Sequence, residues 1–128
     1  MRSGGLVISS FDPGTEFLTP ERCYIVEIHN CAHDPACSIA RARVAPGVTT
    51  QLHALRDTDE RYVLLHGQAE IEVGGGPSLP VKPLDVVLIP AGSSQRITNT
   101  GDGDLIFLCV CTPRFNSANY INLERPGG

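Results

Sequence analysis

The sequence predicts one all-β domain, arranged as a sandwich or barrel of many short strands. The chain has 128 residues, the length of a single ordinary domain, and its 41% hydrophobic residues are enough to bury one core. Its 13 glycines and 10 prolines, which weaken helices, are spread along the whole chain. Apolar side chains alternate in short segments that recur roughly every 8–12 residues, and no segment has a helical period.

The predicted strands are separated by turn-forming residues. The first covers residues 22–30, and the next, at 38–44, ends before the turn pair Pro46-Gly47. Residues 49–55 and 60–65 are predicted to form a hairpin-like pair across a polar turn. The remaining strands are predicted at 68–73, around Val81, and at 85–89, 95–99 and 104–111, which makes roughly nine or ten in total.

Charge and hydropathy exclude two classes of partner. The formal net charge is −4 and Lys82 is the only lysine, so the chain lacks the clustered basic residues that bind nucleic acid. No apolar run approaches the roughly 18 residues of a membrane span, and Asp12 and Pro13 interrupt the start before the apolar core of a signal peptide can form. We expect a soluble cytoplasmic protein without nucleic-acid or membrane partners, with mobile tails at 1–5 and 125–128.

Five residues at regular spacing form a first motif in the middle of the chain. They follow the pattern G-x5-H-x-H-x3-4-E-x6-G, with leucine in place of the second histidine. The five residues are Gly47, His53, Leu55, Glu60 and Gly67.

A second motif lies further along the chain and follows the pattern G-x5-P-x-G-x2-H-x3-N. Here leucine replaces the first glycine and glutamine replaces the histidine. The five residues are Leu84, Pro90, Gly92, Gln95 and Asn99.

The two motifs, in this order, resemble the paired motifs of the cupin superfamily over about residues 38–111. The resemblance implies a small single-domain cupin, whose fold is a double-stranded β-helix or jelly-roll barrel. In typical cupins the histidines and the glutamate of these motifs hold one divalent metal inside the barrel. At the matching positions this chain offers His53, Glu60 and Gln95, a mixed nitrogen and oxygen set for Zn, Fe, Mn, Ni or Co. The alternative is that His53 and Glu60 form a structural hydrogen-bonded pair in a barrel that has lost its metal.

Strand alternation predicts which side chains share the interior with these residues. Side chains two positions apart point to the same face of a strand, so each motif residue brings its neighbours with it. Glu60 and Tyr62 are the candidate catalytic groups, with Tyr62 as a possible proton donor. The predicted substrate pocket contains Gln51, Leu55, Tyr62, Ile97 and Cys109.

The five cysteines cannot all pair within one chain, and a reducing compartment would leave them as thiols. Cys109 and Cys111 share one face of the last strong strand, either as core thiols or with one thiol reaching the cavity. Residues 29–37 contain H-x-C-x-H-x3-C, which we interpret as a plain loop rather than a zinc site or a disulfide, since paired C-x2-C halves are missing. Arg41 and Arg43 are expected on a solvated face; if they pointed inward they would bind an anionic ligand.

Two functions fit this pattern. The first is a metal-dependent cupin enzyme, a dioxygenase, isomerase, lyase or cyclase, that acts on a small organic molecule inside the barrel. The second is a metal-free sensor or carrier that binds a small ligand without catalysis; Leu55 and Gln95 favour it. The fold does not select between them.

We also expect a homodimer, because one barrel interior cannot cover all the apolar strand faces. The side chains that would remain outside are Ile106, Leu108, Val110, Val63 and Leu65.

Overall fold

The computed structural model describes residues 6–124 and contains eleven strands within that range. Short 3-10 helices at Pro13–Thr15 and Ser117–Asn119 are its only helical turns in the described residues. The strands are β1 Phe17–Leu18, β2 Tyr24–His29, β3 Ser38–Val44, β4 His53–Leu55, β5 Asp59–His66, β6 Ala69–Val73, β7 Leu79–Val81, β8 Val86–Ile89, β9 Gln95–Asn99, β10 Leu105–Thr112 and β11 Tyr120–Asn122.

The strands form two sheets, in which all the paired neighbours are antiparallel. One sheet has six strands in the order β1-β2-β3-β10-β5-β8, and the other has five in the order β11-β4-β9-β6-β7. Neighbours that are distant in sequence, such as β3 and β10, are the mark of a jelly roll. The predicted all-β architecture is therefore confirmed.

The strand prediction differs from the structure mainly at the two ends of the chain. Strand β1 has only two residues, too few for an alternating pattern to be seen. Strand β11 is formed by pairing with β4, a contact that is remote in sequence. Of the predicted strand at 49–55, only His53–Leu55 forms one.

Two residues of the second motif show how the local backbone is set. Leu84 has a φ of 72°, a left-handed conformation that explains why glycine is usual at this position. Asn99 is buried, and its side chain donates to the backbone oxygens of Val44 and Gly103 at 2.9 and 2.8 Å. Asn99 thus fastens the end of β9 to β3 and to the turn that leads into β10.

One half of the interior is a packed core, and the other half is open. Buried apolar side chains from both sheets fill the closed half, with Phe107 packed against the ring of Tyr62 at a centroid distance of 4.5 Å. The closed half includes Val44, Leu64, Ile71, Ile97 and Leu105. Small side chains on β3, Ala40 and Ala42, leave space in the open half.

Arg41 and Arg43 lie on the outer face of β3, where the segment that precedes β1 covers them. Both guanidinium groups form ion pairs with Glu16, and that of Arg43 lies over the ring of Tyr24 at 4.1 Å from its centroid. The arginines therefore do not reach the interior, because Ala40 and Ala42 occupy the inward positions of the same strand.

The remaining sequence expectations concern the loop and the termini. In the loop after β2, His29 Nε2 lies 2.9 Å from Asp34 Oδ2, and residues 6–124 contain no cluster of three or more metal-ligating side chains. The tails expected at 1–5 and 125–128 lie outside the described residues. No helix found in the described part of the chain has the length and apolar character to cross a membrane.

Candidate functional site

The open half of the interior is a cavity of about 430 Å³ between the two sheets. Strands β2, β3, β4, β5 and β10 supply most of its lining. Strands β1 and β11, the segments before β2, β4 and β11, and the loop after β2 supply the rest. Most of this lining is apolar, and Glu21, Gln51 and Tyr120 place polar groups around His53. The cavity brings together six residues of the sequence-predicted set: Gln51, His53, Leu55, Glu60, Tyr62 and Cys109.

His53 is held in place by three neighbours. It is 4% exposed, and its Nδ1 atom lies 2.7 Å from the backbone oxygen of Gln51. Its ring stacks on Tyr120 with a centroid distance of 4.9 Å and an interplanar angle of 12°. A Glu21 oxygen lies 3.7 Å from Nδ1. Since a carbonyl oxygen only accepts, Nδ1 carries a proton, and Nε2 is an acceptor in the neutral ring.

Glu60 is 7% exposed and takes its hydrogen bonds from neutral groups. Gln95 Nε2 donates to Glu60 Oε1 at 2.9 Å, and the Cys111 thiol donates to Oε2 at 3.8 Å. Burial raises the pKa of Glu60, and the hydrogen bond from Gln95 and the nearby His53 oppose that rise. The site thus holds a carboxyl group with no lysine or arginine partner among the described residues.

Tyr62 completes this chain of hydrogen bonds. Its hydroxyl donates to Gln95 Oε1 at 2.5 Å, so its proton is already committed. Burial raises the pKa of Tyr62, and the charge of Glu60 raises it further. The tyrosine suggested as a proton donor therefore holds the Gln95 side chain in place.

The arrangement does not suit the divalent metal that the motif resemblance implies. Both polar ends of the Gln95 side chain are engaged, and Gln95 is fully buried and is not among the residues that line the cavity. Leu55, at the second histidine position, has no ligating atom. His53 and Glu60 are the donors left over, and a stable site for these metals needs at least three protein ligands. The described residues do not fit the metal.

Ile97, expected in the pocket, instead lies in the closed core and is fully buried. Strand parity correctly places it on the same face as Gln95. Parity does not give depth, however, and β9 runs away from the cavity towards the packed half. Ile97 accordingly packs with the core and is absent from the cavity lining.

Three thiols reach the cavity, those of Cys23, Cys109 and Cys111. Burial raises the pKa of each, and the negative charge of Glu60 adds to that rise. These thiols stay protonated at neutral pH, so they act as small apolar groups and weak donors rather than as nucleophiles. All five cysteines are free.

Two further residues of the site escaped the sequence analysis, Glu21 and Tyr120. The Tyr120 hydroxyl lies 2.8 Å from Gln51 Oε1 and 3.2 Å from Glu21 Oε2, which joins both to the His53 stack. Neither residue belongs to a motif or to a predicted strand. The only available signal was an aromatic residue in the short run Tyr120–Asn122, which follows the turn residues Asn116 and Ser117.

Comparisons with known proteins agree with this architecture. The cupin-domain family model matches residues 40–111. An oxalate-binding protein of Thermotoga maritima is 36% identical over 78 residues, which is 61% of this chain and 64% of that protein. The matched stretch therefore spans less than two thirds of the curated relative.

Solved structures of other proteins are also similar to this chain. A predicted oxalate decarboxylase from Thermotoga maritima is 30% identical, with a TM-score of 0.65 over 71% of this chain and 80% of its own. The structure of Pac13, described as a nucleoside dehydratase, has a TM-score of 0.75 at 13% identity and covers 92% of each chain, a likeness of fold alone. The family model covers more than half of the chain, together with both motifs, and the chain belongs to the cupin family.

Proposed function

We propose that this protein binds a small organic molecule in the cavity without a metal held by His53, Glu60 and Gln95. The observation that carries the proposal is the cavity itself, about 430 Å³ of space against a mainly apolar lining with polar groups gathered around His53. Apolar pockets with a few convergent polar groups are typical of small-molecule sites. The oxalate-binding relative supports small-ligand binding in general.

The binding role is favoured over metal-dependent catalysis. Gln95 holds Glu60 and Tyr62 in place, and this use of its side chain is structural. Tyr62, whose proton is engaged, has none to transfer without breaking that contact. The cavity nevertheless retains unengaged acceptors, among them Nε2 of His53 and the side-chain oxygen of Asn30, which have no hydrogen-bond partner among residues 6–124.

The experiment is a ligand-observed NMR screen of small amines, alcohols and carboxylates against the wild type and Ala40→Phe. Ala40 lines the cavity, and a phenyl ring there would occupy the space a ligand needs. We expect at least one class to bind the wild type and to lose binding in the variant. Equal signals for both proteins, with the variant folded by circular dichroism, would refute a ligand site in the cavity. Elemental analysis of the protein purified without chelators is expected to find metal far below one ion per chain, because the motif positions supply two donors rather than three or four. One ion per chain would contradict the metal-free site.

We further propose a homodimer that forms through the outer face of the six-stranded sheet. Leu65, Val86 and Leu88 on β5 and β8 are 42%, 63% and 57% exposed, although they are large apolar side chains. Exposed apolar side chains clustered on one sheet face suit an interface between copies. Light scattering should give twice the 13.7 kDa chain mass, and a return to the single-chain mass is expected for Leu88→Lys. A wild type with the single-chain mass would contradict the dimer.

The cytoplasmic location is part of the same proposal. Its support is that the five cysteines are free, as they remain in a reducing compartment.

A further inference from the structure

The cavity is acidic, and its lining provides no strong cation. Three carboxylate residues, Glu21, Glu27 and Glu60, line it together with His53. No lysine or arginine is among the lining residues in the described part of the chain. A ligand with a negative charge would enter a field of its own sign, whereas a positive charge would be attracted.

Three donor groups of the cavity are already committed within the protein. The Tyr62 hydroxyl donates to Gln95, and the Cys111 thiol donates to Glu60. The single hydroxyl proton of Tyr120 serves the acceptors of Gln51 and Glu21. A ligand that needs hydrogen-bond donors would therefore find those of Tyr62, Tyr120 and Cys111 occupied.

Acceptors, in contrast, remain open. His53 is only 4% exposed, and its Nε2 atom is an acceptor without a partner among the described residues. Asn30, which also lines the cavity, has a buried side-chain oxygen with no hydrogen bond. Buried polar atoms are rarely left unpaired in a folded protein, so the Asn30 oxygen indicates a donor that a ligand brings. Nε2 of the cavity-lining His53 offers a second acceptor.

Glu21 carries the negative charge that such a ligand would meet. Its side chain is 19% exposed, and no lysine or arginine of residues 6–124 forms an ion pair with it. Its Oε2 atom lies 3.7 Å from His53 Nδ1 and 3.2 Å from the Tyr120 hydroxyl, which places the charge beside the ring of His53. Burial raises the pKa of Tyr120, and the charge of Glu21 raises it further. Burying a carboxylate is costly unless an opposite charge or donors compensate it.

We propose that the ligand is a small organic amine, whose ammonium group is held by the Glu21 carboxylate and the acceptors around His53. Its apolar body contacts side chains such as Leu55 and Phe107 in the remaining space. This inference rests on the proposed function and names the ligand class for the same cavity. It also separates this chain from an oxalate-binding relative, because oxalate is a dianion and would face three carboxylates here.

The test uses three probes of nearly the same shape: benzylamine, which is protonated at pH 7, benzyl alcohol, which is neutral, and benzoate, which is an anion. Oxalate is the fourth probe. Isothermal titration of the full chain at pH 7 should show benzylamine binding at least about tenfold more tightly than the other three, because charge-assisted hydrogen bonds are the stronger ones. Alcohol or benzoate binding as tightly as the amine would overturn the amine assignment.

A variant pair locates the charge. Glu21→Gln keeps the shape and an acceptor for Tyr120 but removes the charge, and should weaken benzylamine about tenfold while leaving benzyl alcohol unchanged. Glu21→Asp retains the charge and should restore most of the affinity. The matched control is Glu70→Gln, which removes the same charge from an exposed position outside the cavity. A control that weakens the amine as much as Glu21→Gln would contradict the assignment.

The outcomes separate the two proposals. Binding of the alcohol or benzoate that Ala40→Phe abolishes would leave the cavity as a ligand site and refute the amine. If no probe binds the wild type, or if Ala40→Phe removes the binding of none, both the ligand site and the amine assignment are refuted. Amine binding that Ala40→Phe removes and Glu21→Gln weakens supports both.

Discussion

The two faces of the six-stranded sheet differ in whether their carboxylates have a positively charged partner. On the outer face Glu16 forms ion pairs with Arg41 and Arg43, so its charge is compensated. On the inner face Glu60 receives hydrogen bonds from the neutral Gln95 and Cys111 and, within residues 6–124, from no charged group. The outer arrangement fastens the N-terminal segment onto β3. The inner arrangement leaves carboxyl groups and acceptors facing an open space, which suits the amine ligand proposed above.

Strand β3 supplies side chains to both faces of this sheet. Strand β3 alternates arginine and alanine through residues 40–43, and the period of two sends the arginines outward and the alanines inward. The outward side chains bind the covering segment, and the small inward ones create the cavity. A single substitution can therefore affect one face and spare the other.

The largest effect is expected on the inner face, from Gln95→Leu. The leucine fills a similar volume but leaves the Tyr62 hydroxyl and the Glu60 carboxyl without their shared partner. Unpaired buried polar groups cost about 1–3 kcal/mol each, so we expect the free energy of unfolding to fall by about 3 kcal/mol. Urea denaturation measures it. The exposed Gln68→Leu is the control and should change stability by less than about 0.5 kcal/mol. A Gln95 variant as stable as this control would show that the buried bridge contributes nothing.

The substitution Leu55→His restores the imidazole that is missing from the first motif, and the second-largest effect is expected from it. Leu55 lines the cavity beside His53, and an imidazole there would raise the number of protein donors from two to three. We expect the affinity for Zn²⁺ or Ni²⁺ to rise roughly 10–100-fold, measured by titration calorimetry. Leu52→His, in the same segment but absent from the cavity lining, is the matched control. No gain for Leu55→His over this control would mean that Glu60 and His53 do not converge on one point.

A smaller effect is expected on the outer face from Glu16→Gln. The hydrogen bond and charge of Arg43, with those of Arg41, lower the pKa of Glu16 from its ordinary value of 4.5. The ionised Glu16 therefore adds stability that is fully present above pH 4.5 and is lost as the pH falls through the lowered pKa. At pH 7 the variant should be about 1 kcal/mol less stable than the wild type in urea. The two proteins should converge at low pH, and a gap that stays constant below pH 4.5 would contradict the ion pair.

The smallest effect is expected from Tyr120→Phe. The variant keeps the ring that stacks on His53 and removes only the hydroxyl that bridges Glu21 and Gln51. We expect a loss of about 0.5–1 kcal/mol in the free energy of unfolding, as for an ordinary partly exposed hydrogen bond. Tyr120→Leu removes the stack as well and should cost more. Equal losses for the two variants would show that the stacking is unimportant.

Sequence alone determined the fold and the centre of the candidate site. Alternation and turn residues predicted an all-β chain, because side-chain direction in a strand follows directly from sequence position. The motif spacing placed His53 and Glu60 in one interior, and both line the cavity. The exchange of histidine for Leu55 and Gln95 already indicated that the usual metal set is incomplete.

Only the tertiary structure decided depth, partners and charge balance. Parity puts Ile97 and Gln95 on the inner face, but the packing of two sheets determines that one joins the core and the other bridges Tyr62 to Glu60. Glu21 and Tyr120 come from segments at opposite ends of the chain, and their meeting beside His53 depends on β11 pairing with β4. Such long-range contacts leave no local pattern, because strand periodicity records which way a side chain points and not what it meets.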